Sequence, residues 1–262
     1  MTLAVAIQYP YGRFREALKS LSKIRTPQYQ EAIIFLTDSR WTYQNHCEDN
    51  GVKLHDIDAS TVVAYSGKVN IAVHCVDNLT NKINSRGSRA VNVNDIFQRT
   101  YSYHKRHNDK SGIKTDRLSF LLGKYLKTGE AKLILLESPD FKHKFVTGIE
   151  GIGDKNAYEE VKRIVVPKLN DIRYTGTEED YIAIGANVID AIRVLVIGNS
   201  RFDTVGGLIQ FWVLDRRGIT EYSLRCTTDP TGKAEWNRAT TSRSELKTAK
   251  DRLNLGPDYL MR

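Results

Sequence analysis

The sequence predicts an α+β fold in which antiparallel sheets carry helices segregated into outer layers. Two observations predict it. Runs with strand character come first, then helical stripes, then strands, helices and strands again, which is not the strict alternation of a doubly wound parallel sheet. No internal repeat and no low-complexity linker interrupts the 262 residues, so one domain is expected over 1–262.

The elements follow from local pattern. Residues 3–9 (Leu-Ala-Val-Ala-Ile-Gln-Tyr) and 32–37 (Ala-Ile-Ile-Phe-Leu-Thr) are short apolar runs rich in β-formers that end at turn or polar residues, and both read as strands. Between them Phe14, Ala17, Leu18 and Leu21 recur at helical spacing, which predicts a helical insertion at about 10–31. Strand-like runs follow at 52–58 and 61–65. After Gly67, a stripe of Val69, Val73, Val76, Leu79 and Ile83 predicts a helix ending near Ser85, Gly87 and Ser88. A second stripe covers 94–107 through Ile96, Phe97, Tyr101 and His104. Thr115 is placed to cap a third helix, with Leu118, Leu121, Leu122 and Tyr125 behind it.

Strands return at 131–137 and 143–149. Beyond Gly151-Ile152-Gly153 a helix is expected from about Ala157. A longer one runs from about Glu178 to Val196, turning Ile182, Gly185, Ile189 and Ile192 inward. Residues 207–214 read as a buried strand that Arg217-Gly218 turns into a partner at 219–223. A polar carboxyl-terminal extension follows from about 227, with one helix expected around Ser242 to Leu253.

The net charge of +8 is concentrated: residues 82–127 hold eleven Lys or Arg against three Asp. The block reads first as a solvated helical surface. Its interleaved Phe97, Tyr101 and Tyr103 leave a nucleic-acid-binding module as the weaker alternative. Cys47, Cys75 and Cys226 are too few and too odd for a disulfide framework. No run approaches the roughly 20 apolar residues of a membrane span, and the first ten residues lack a signal-peptide pattern, so a cytoplasmic protein without membrane association is expected. His46-Cys47 and His74-Cys75 do not make a metal site, because adjacent side chains rarely converge on one tetrahedral ion and no Cys-x-x-Cys accompanies them.

Four segments, taken together and in order, carry a more specific signal. They are Thr2-Leu3-Ala4-Val5-Ala6-Ile7; Phe35-Leu36-Thr37-Asp38-Ser39-Arg40; Lys53 with the later Ala64-Tyr65-Ser66-Gly67; and Arg201-Phe202-Asp203-Thr204-Val205-Gly206-Gly207 ahead of a strand and an Arg-Gly hairpin. In these segments and in the fifteen-residue spacing of Asp38 and Lys53, the chain resembles the proteasome β-subunit family of N-terminal-nucleophile hydrolases, including its bacterial ancestral β-type members. The resemblance covers about half the chain, roughly 2–9, 32–84 and 143–223. It implies a four-layer αββα sandwich and hydrolysis of peptide or amide bonds through an acyl-enzyme, without metal or cofactor. It also implies a homo-oligomer, a ring or stacked rings, acting on peptide or protein substrates, with room for an unfoldase or other regulator.

The resemblance assigns roles by position. Thr2 would become the nucleophile once Met1 is removed, because its own α-amine, a group that ordinarily titrates at about pH 7.7–8.0, can take the hydroxyl proton. Lys53 would disfavour the protonated amine by like-charge repulsion, and Asp38 would hold Lys53 charged and in place. The backbone N–H at Gly67 would meet the oxyanion. Asp203 would orient the terminal group. Where the family has a Gly-Ser-Gly turn, this chain reads Gly151-Ile152-Gly153-Asp154; isoleucine cannot make the serine's hydrogen bond, and Asp154 is the candidate replacement. A catalytically silent scaffold that keeps Met1 is the main alternative.

Taken singly, the same residues have blander readings. Asp38 would be a turn residue, Lys53 an exposed strand residue, and Gly67 a turn glycine.

Overall fold

The computed structural model describes residues 3–11, 31–38, 41–42, 47–48, 52–86, 91–110, 117–172, 177–198, 209–228 and 234–240. Within these, a six-stranded sheet holds β1 (Leu3–Tyr9), β2 (Ala32–Asp38), β10 (Ile149–Gly153), β11 (Ile209–Asp215), β12 (Gly218–Thr228) and β13 (Ala234–Thr240). Its order is β10-β1-β2-β11-β12-β13. A five-stranded sheet runs β5 (Leu54–Asp58), β6 (Thr61–Ser66), β7 (Ser119–Tyr125), β8 (Ala131–Glu137), β9 (Lys144–Val146). All pairings are antiparallel. Two short strands, β3 (Trp41–Thr42) and β4 (Cys47–Glu48), pair apart from both sheets.

Among the described residues, four helices cover the outer faces: α1 (Val69–Arg86), α2 (Val93–Lys110), α3 (Lys155–Asp171) and α4 (Glu178–Gly198). Three apolar cores give the order of the layers. Leu3, Val5 and Ile7 of β1 pack with Val161 and Val165 of α3 and Ile184 and Val188 of α4. Val63 and Tyr65 of β6 pack with Ile71 and Cys75 of α1 and Phe97 of α2. Between the sheets lie Ala4, Ala6, Phe35, Ala64, Leu121 and Leu133. Each sheet is therefore covered on both faces, and every residue of β1, β2 and β6 is buried. That double coverage explains why these strands are near-continuous apolar runs rather than alternating ones. Each fully buried Leu, Ile or Phe contributes about 1.5–3 kcal/mol by leaving water.

Close approach of the sheets depends on Gly123 in β7. A β-carbon there would stand 2.6 Å from the Phe35 ring of the opposite sheet, closer than carbon atoms tolerate. The aromatic ring of one sheet occupies the space that the other leaves.

The structure corrects four sequence expectations. Leu118, Leu121, Leu122 and Tyr125 do not belong to a third helix: 119–125 is β7, the central strand of its sheet. Residues 143–149 are not one strand. β9 ends at Val146, and after Gly148 the chain enters β10 in the other sheet. The partner strand expected at 219–223 is longer: β12 runs from Gly218 to Thr228 and pairs with β13. Gly151-Ile152-Gly153 is the end of β10 rather than a turn. The helices expected at 10–31 and around Ser242 to Leu253 lie outside the described residues, apart from Pro10, Tyr11 and Glu31 at the edges of the first. Among the described residues, no helix is long and apolar enough to cross a membrane.

Candidate functional site

One end of the two sheets gathers the candidate residues. β1 starts there at Leu3, β2 ends at Asp38, β10 ends at Gly153 and β11 starts at Ile209, as the pairings Leu3 with Gly153 and Ile209 with Asp38 require. From the five-stranded sheet, the start of β5 and the end of β6 reach the same place.

Asp38 and Lys53 meet there. The Lys53 Nζ lies 3.0 Å from Asp38 Oδ1, and both residues are 0% exposed. The same oxygen accepts the Leu3 backbone N–H at 2.9 Å. That N–H belongs to the peptide bond joining Thr2 to Leu3, so the ion pair is anchored on the amide that carries residue 2. Taking two charges out of water costs several kcal/mol per ion, which their attraction offsets only with good geometry and further hydrogen bonds. Neither residue follows its blander reading: Asp38 closes a buried strand, and Lys53 has no exposed surface.

Lys53 is held by both sheets. Its carbonyl accepts the Tyr65 N–H of β6 at 3.3 Å, while its own N–H donates to the Gln210 Oε1 of β11 at 3.2 Å. Its ammonium reaches β2. The flanking residues are braced as well: the Tyr65 hydroxyl donates to the Val52 carbonyl at 3.0 Å, and the His55 ring stacks on Tyr65 with centroids 5.5 Å apart. Burial pushes the Tyr65 hydroxyl above its usual range and holds His55 below the ordinary imidazole value. Both therefore stay neutral near pH 7.

Gly67 directly follows β6, two positions from Tyr65, and so lies on the Lys53 side of the sheet. Its φ is +104°, and a β-carbon would come within 2.8 Å of Leu118 Cδ2. Glycine is required here by the turn and by the approach of Arg117 and Leu118 just ahead of β7, independently of any role toward a substrate. Asp154 follows Gly153, the partner of Leu3. Its carboxylate caps α3, accepting the N–H groups of Asn156 and Ala157 at 3.0 Å each. Ile152 sits cross-strand from Ala4 in the core between the sheets, 5% exposed.

Asp38, Lys53, Gly67 and Asp154 thus share one end of the molecule. Thr2 and Asp203 lie outside the described residues. Gln210 was not among the sequence candidates. Its signal was a single amide side chain within the apolar run Ile209-Gln210-Phe211-Trp212-Val213-Leu214.

The other flagged residues lie elsewhere. Cys75 is buried between α1 and the five-stranded sheet, where desolvation pushes its thiol up to about 12. His74 Nδ1 lies 2.8 Å from His104 Nε2 of α2, a hydrogen bond across the helix pair. Cys47 is on β4, and His46 lies outside the described residues. Among the described residues, no three His, Cys, Asp or Glu side chains converge in a way that would hold a metal ion. The basic block forms exposed faces with its own partners, such as Arg99 with Asp95 and Lys105 with Asp109, each one turn apart.

No protein-family model matches the chain, and a comparison with curated proteins finds no match.

Proposed function

We propose that the chain is a threonine-type N-terminal-nucleophile hydrolase of the proteasome β-subunit kind, cleaving peptide or amide bonds after Met1 is removed. One observation carries the reading: the fully buried Asp38–Lys53 pair, bonded through Asp38 Oδ1 to the amide of the Thr2–Leu3 peptide. A buried ion pair is seldom needed for stability, since well-packed apolar residues often serve as well. A lysine kept wholly out of water beside the start of β1 is therefore better accounted for by chemistry at residue 2.

In this mechanism the free α-amine of Thr2 takes the proton of the Thr2 hydroxyl as that oxygen attacks the substrate carbonyl. The Lys53 cation favours the unprotonated amine, and Asp38 keeps the lysine charged and aimed. The Gly67 N–H stabilises the oxyanion, a contribution of about 10² to 10³ in rate for one donor. The amine then gives its proton to the leaving nitrogen as the C–N bond breaks, and water hydrolyses the resulting ester. Asp203 orients the terminal group; Asp154, as the α3 cap, fixes the backbone beside Leu3. The reading extends to a cytoplasmic homo-oligomer, ring or stacked rings, that takes peptide or protein substrates and could engage an unfoldase.

A second reading has one observation in its favour. Ile152 puts a methyl-rich side chain into the inter-sheet core where the family has a serine, so no hydroxyl is offered from that position. A silent scaffold of the same fold would retain Met1 and use the Asp38–Lys53 pair structurally.

Two measurements decide between them. The hydrolase reading expects intact mass spectrometry of the expressed protein to show loss of one methionine residue, and expects Thr2→Ala to reduce turnover of fluorogenic peptides to background with assembly unchanged. Retained methionine with no turnover establishes the scaffold. Equal turnover by Thr2→Ala removes Thr2 as nucleophile.

A further inference from the structure

Lys53 immediately precedes β5, an edge strand, where one backbone bond to β6 is its hold on the five-stranded sheet. Its carbonyl is tied to β6, and its ammonium is tied to Asp38. The remaining backbone group, the N–H, faces the other sheet and has to find an acceptor away from water. Gln210 supplies it from β11, with Oε1 at 3.2 Å. Gln210 stands in register with Thr37, next to Asp38 on the neighbouring strand. One strand pair of the six-stranded sheet therefore holds Lys53 twice, by side chain from β2 and by main chain from β11.

We infer that Gln210 is a positioning residue that sets the reach and direction of the Lys53 ammonium toward Asp38 and residue 2. The inference rests on the proposed hydrolase reading only for its effect on rate; the effect on Lys53 itself does not depend on it. The side chain suits the task because its Oε1 accepts from the Lys53 N–H at the reach that the β11 backbone sets. Without this acceptor the main-chain hold from β11 is lost, and a displacement of about 1 Å in a catalytic group costs up to about a hundredfold in rate.

Gln210→Met tests the idea because methionine keeps the length and bulk of the side chain but removes the acceptor. Gln210→Glu restores an acceptor oxygen at the same reach. The first readout is the rate at which acetic anhydride labels Lys53 in the native protein, followed by peptide mass spectrometry. Lys53 is expected to be protected in the parent, labelled at least about tenfold faster in Gln210→Met, and protected again in Gln210→Glu. The second readout is peptide turnover by the chain bearing free Thr2. Here kcat is expected to fall about tenfold to a hundredfold in Gln210→Met with KM within twofold, and to recover in Gln210→Glu.

Equal labelling of Lys53 in the parent and in Gln210→Met, with far-UV circular dichroism unchanged, overturns the inference. Faster labelling with unchanged kcat overturns its bearing on the reaction. If the parent hydrolyses nothing, the hydrolase reading fails, and the labelling ratio still decides whether Gln210 positions Lys53.

Discussion

Asp38–Lys53 and Asp95–Arg99 are both carboxylate–cation pairs, and the exposed one is the shorter, 2.7 Å against 3.0 Å. Distance is not what separates them. On the outer face of α2 the two groups are 79% and 46% exposed, so water competes for both and salt screens them. Asp38 and Lys53 are both 0% exposed, and each charge depends on the other and on nearby dipoles. His55 stands between these cases: its Nε2 is buried with no hydrogen-bond partner among the described residues, and it stays out of difficulty by remaining neutral. Burial decides what a polar group is worth and what it costs to disturb.

The largest effect expected from this comparison is at Lys53. Lys53→Met leaves the Asp38 carboxylate buried without its cation, and urea titration is expected to show a loss of about 3–5 kcal/mol. Turnover by the proposed mechanism should fall to background in the same variant. The double variant Asp38→Asn with Lys53→Met keeps an acceptor for the Leu3 N–H and removes both charges. It should recover most of the stability and none of the turnover. A double variant as unstable as the single one would show that the pair's charges are not the source of the loss.

A smaller, pH-dependent effect is expected at His55. Burial sets its folded pKa below the ordinary value of about 6.5, so below that pH the unfolded chain binds the proton more readily. Its neutral form favours the fold fully above about pH 6.5, and that advantage is lost as pH falls toward the folded pKa. His55→Phe keeps the stack on Tyr65 without the titration, so thermal midpoints measured from pH 7 down to 5 should fall less steeply than in the parent. An identical slope would place the acid sensitivity elsewhere. The smallest effect is at the surface: Arg99→Ala is expected to cost about 0.3–0.5 kcal/mol in low salt, and the difference should vanish in 1 M salt.

Much of the fold was legible because burial leaves marks in a sequence. Of the stripe on α1, Val73, Val76, Leu79 and Ile83 pack toward the five-stranded sheet while Val69 lies outside that core, and Gly185, Ile189 and Ile192 of α4 are buried as their spacing implied. The misreading at 118–125 has a physical cause. β7 is central in its sheet and covered on both faces, with Phe120 and Leu122 toward the helices and Leu121 toward the other sheet. A strand apolar on both faces loses its period of two, and Leu118, Leu121, Leu122 and Tyr125 then mimic a helical stripe. The break at Gly148 was hidden similarly, because Val146 and Ile149 are both apolar although they serve different sheets.

At the site, Asp38, Lys53 and Gly67 could be picked out from short motifs, while Gln210 could not, since one glutamine in a strand has many possible roles.

What the sequence by itself determined is the supply of elements: apolar runs long enough for strands, stripes long enough for helices, and a carboxylate, a lysine and a glycine at the ends of particular runs. Local pattern carries that information because a side chain's preference for water or core repeats with the geometry of its own strand or helix. Only the tertiary structure decided that Asp38 and Lys53, from different sheets, meet where β1 begins, and that Gln210 holds the lysine from a third strand. Those meetings depend on how two sheets pack face to face, and no local period in the chain records which residues will stand opposite one another across that gap.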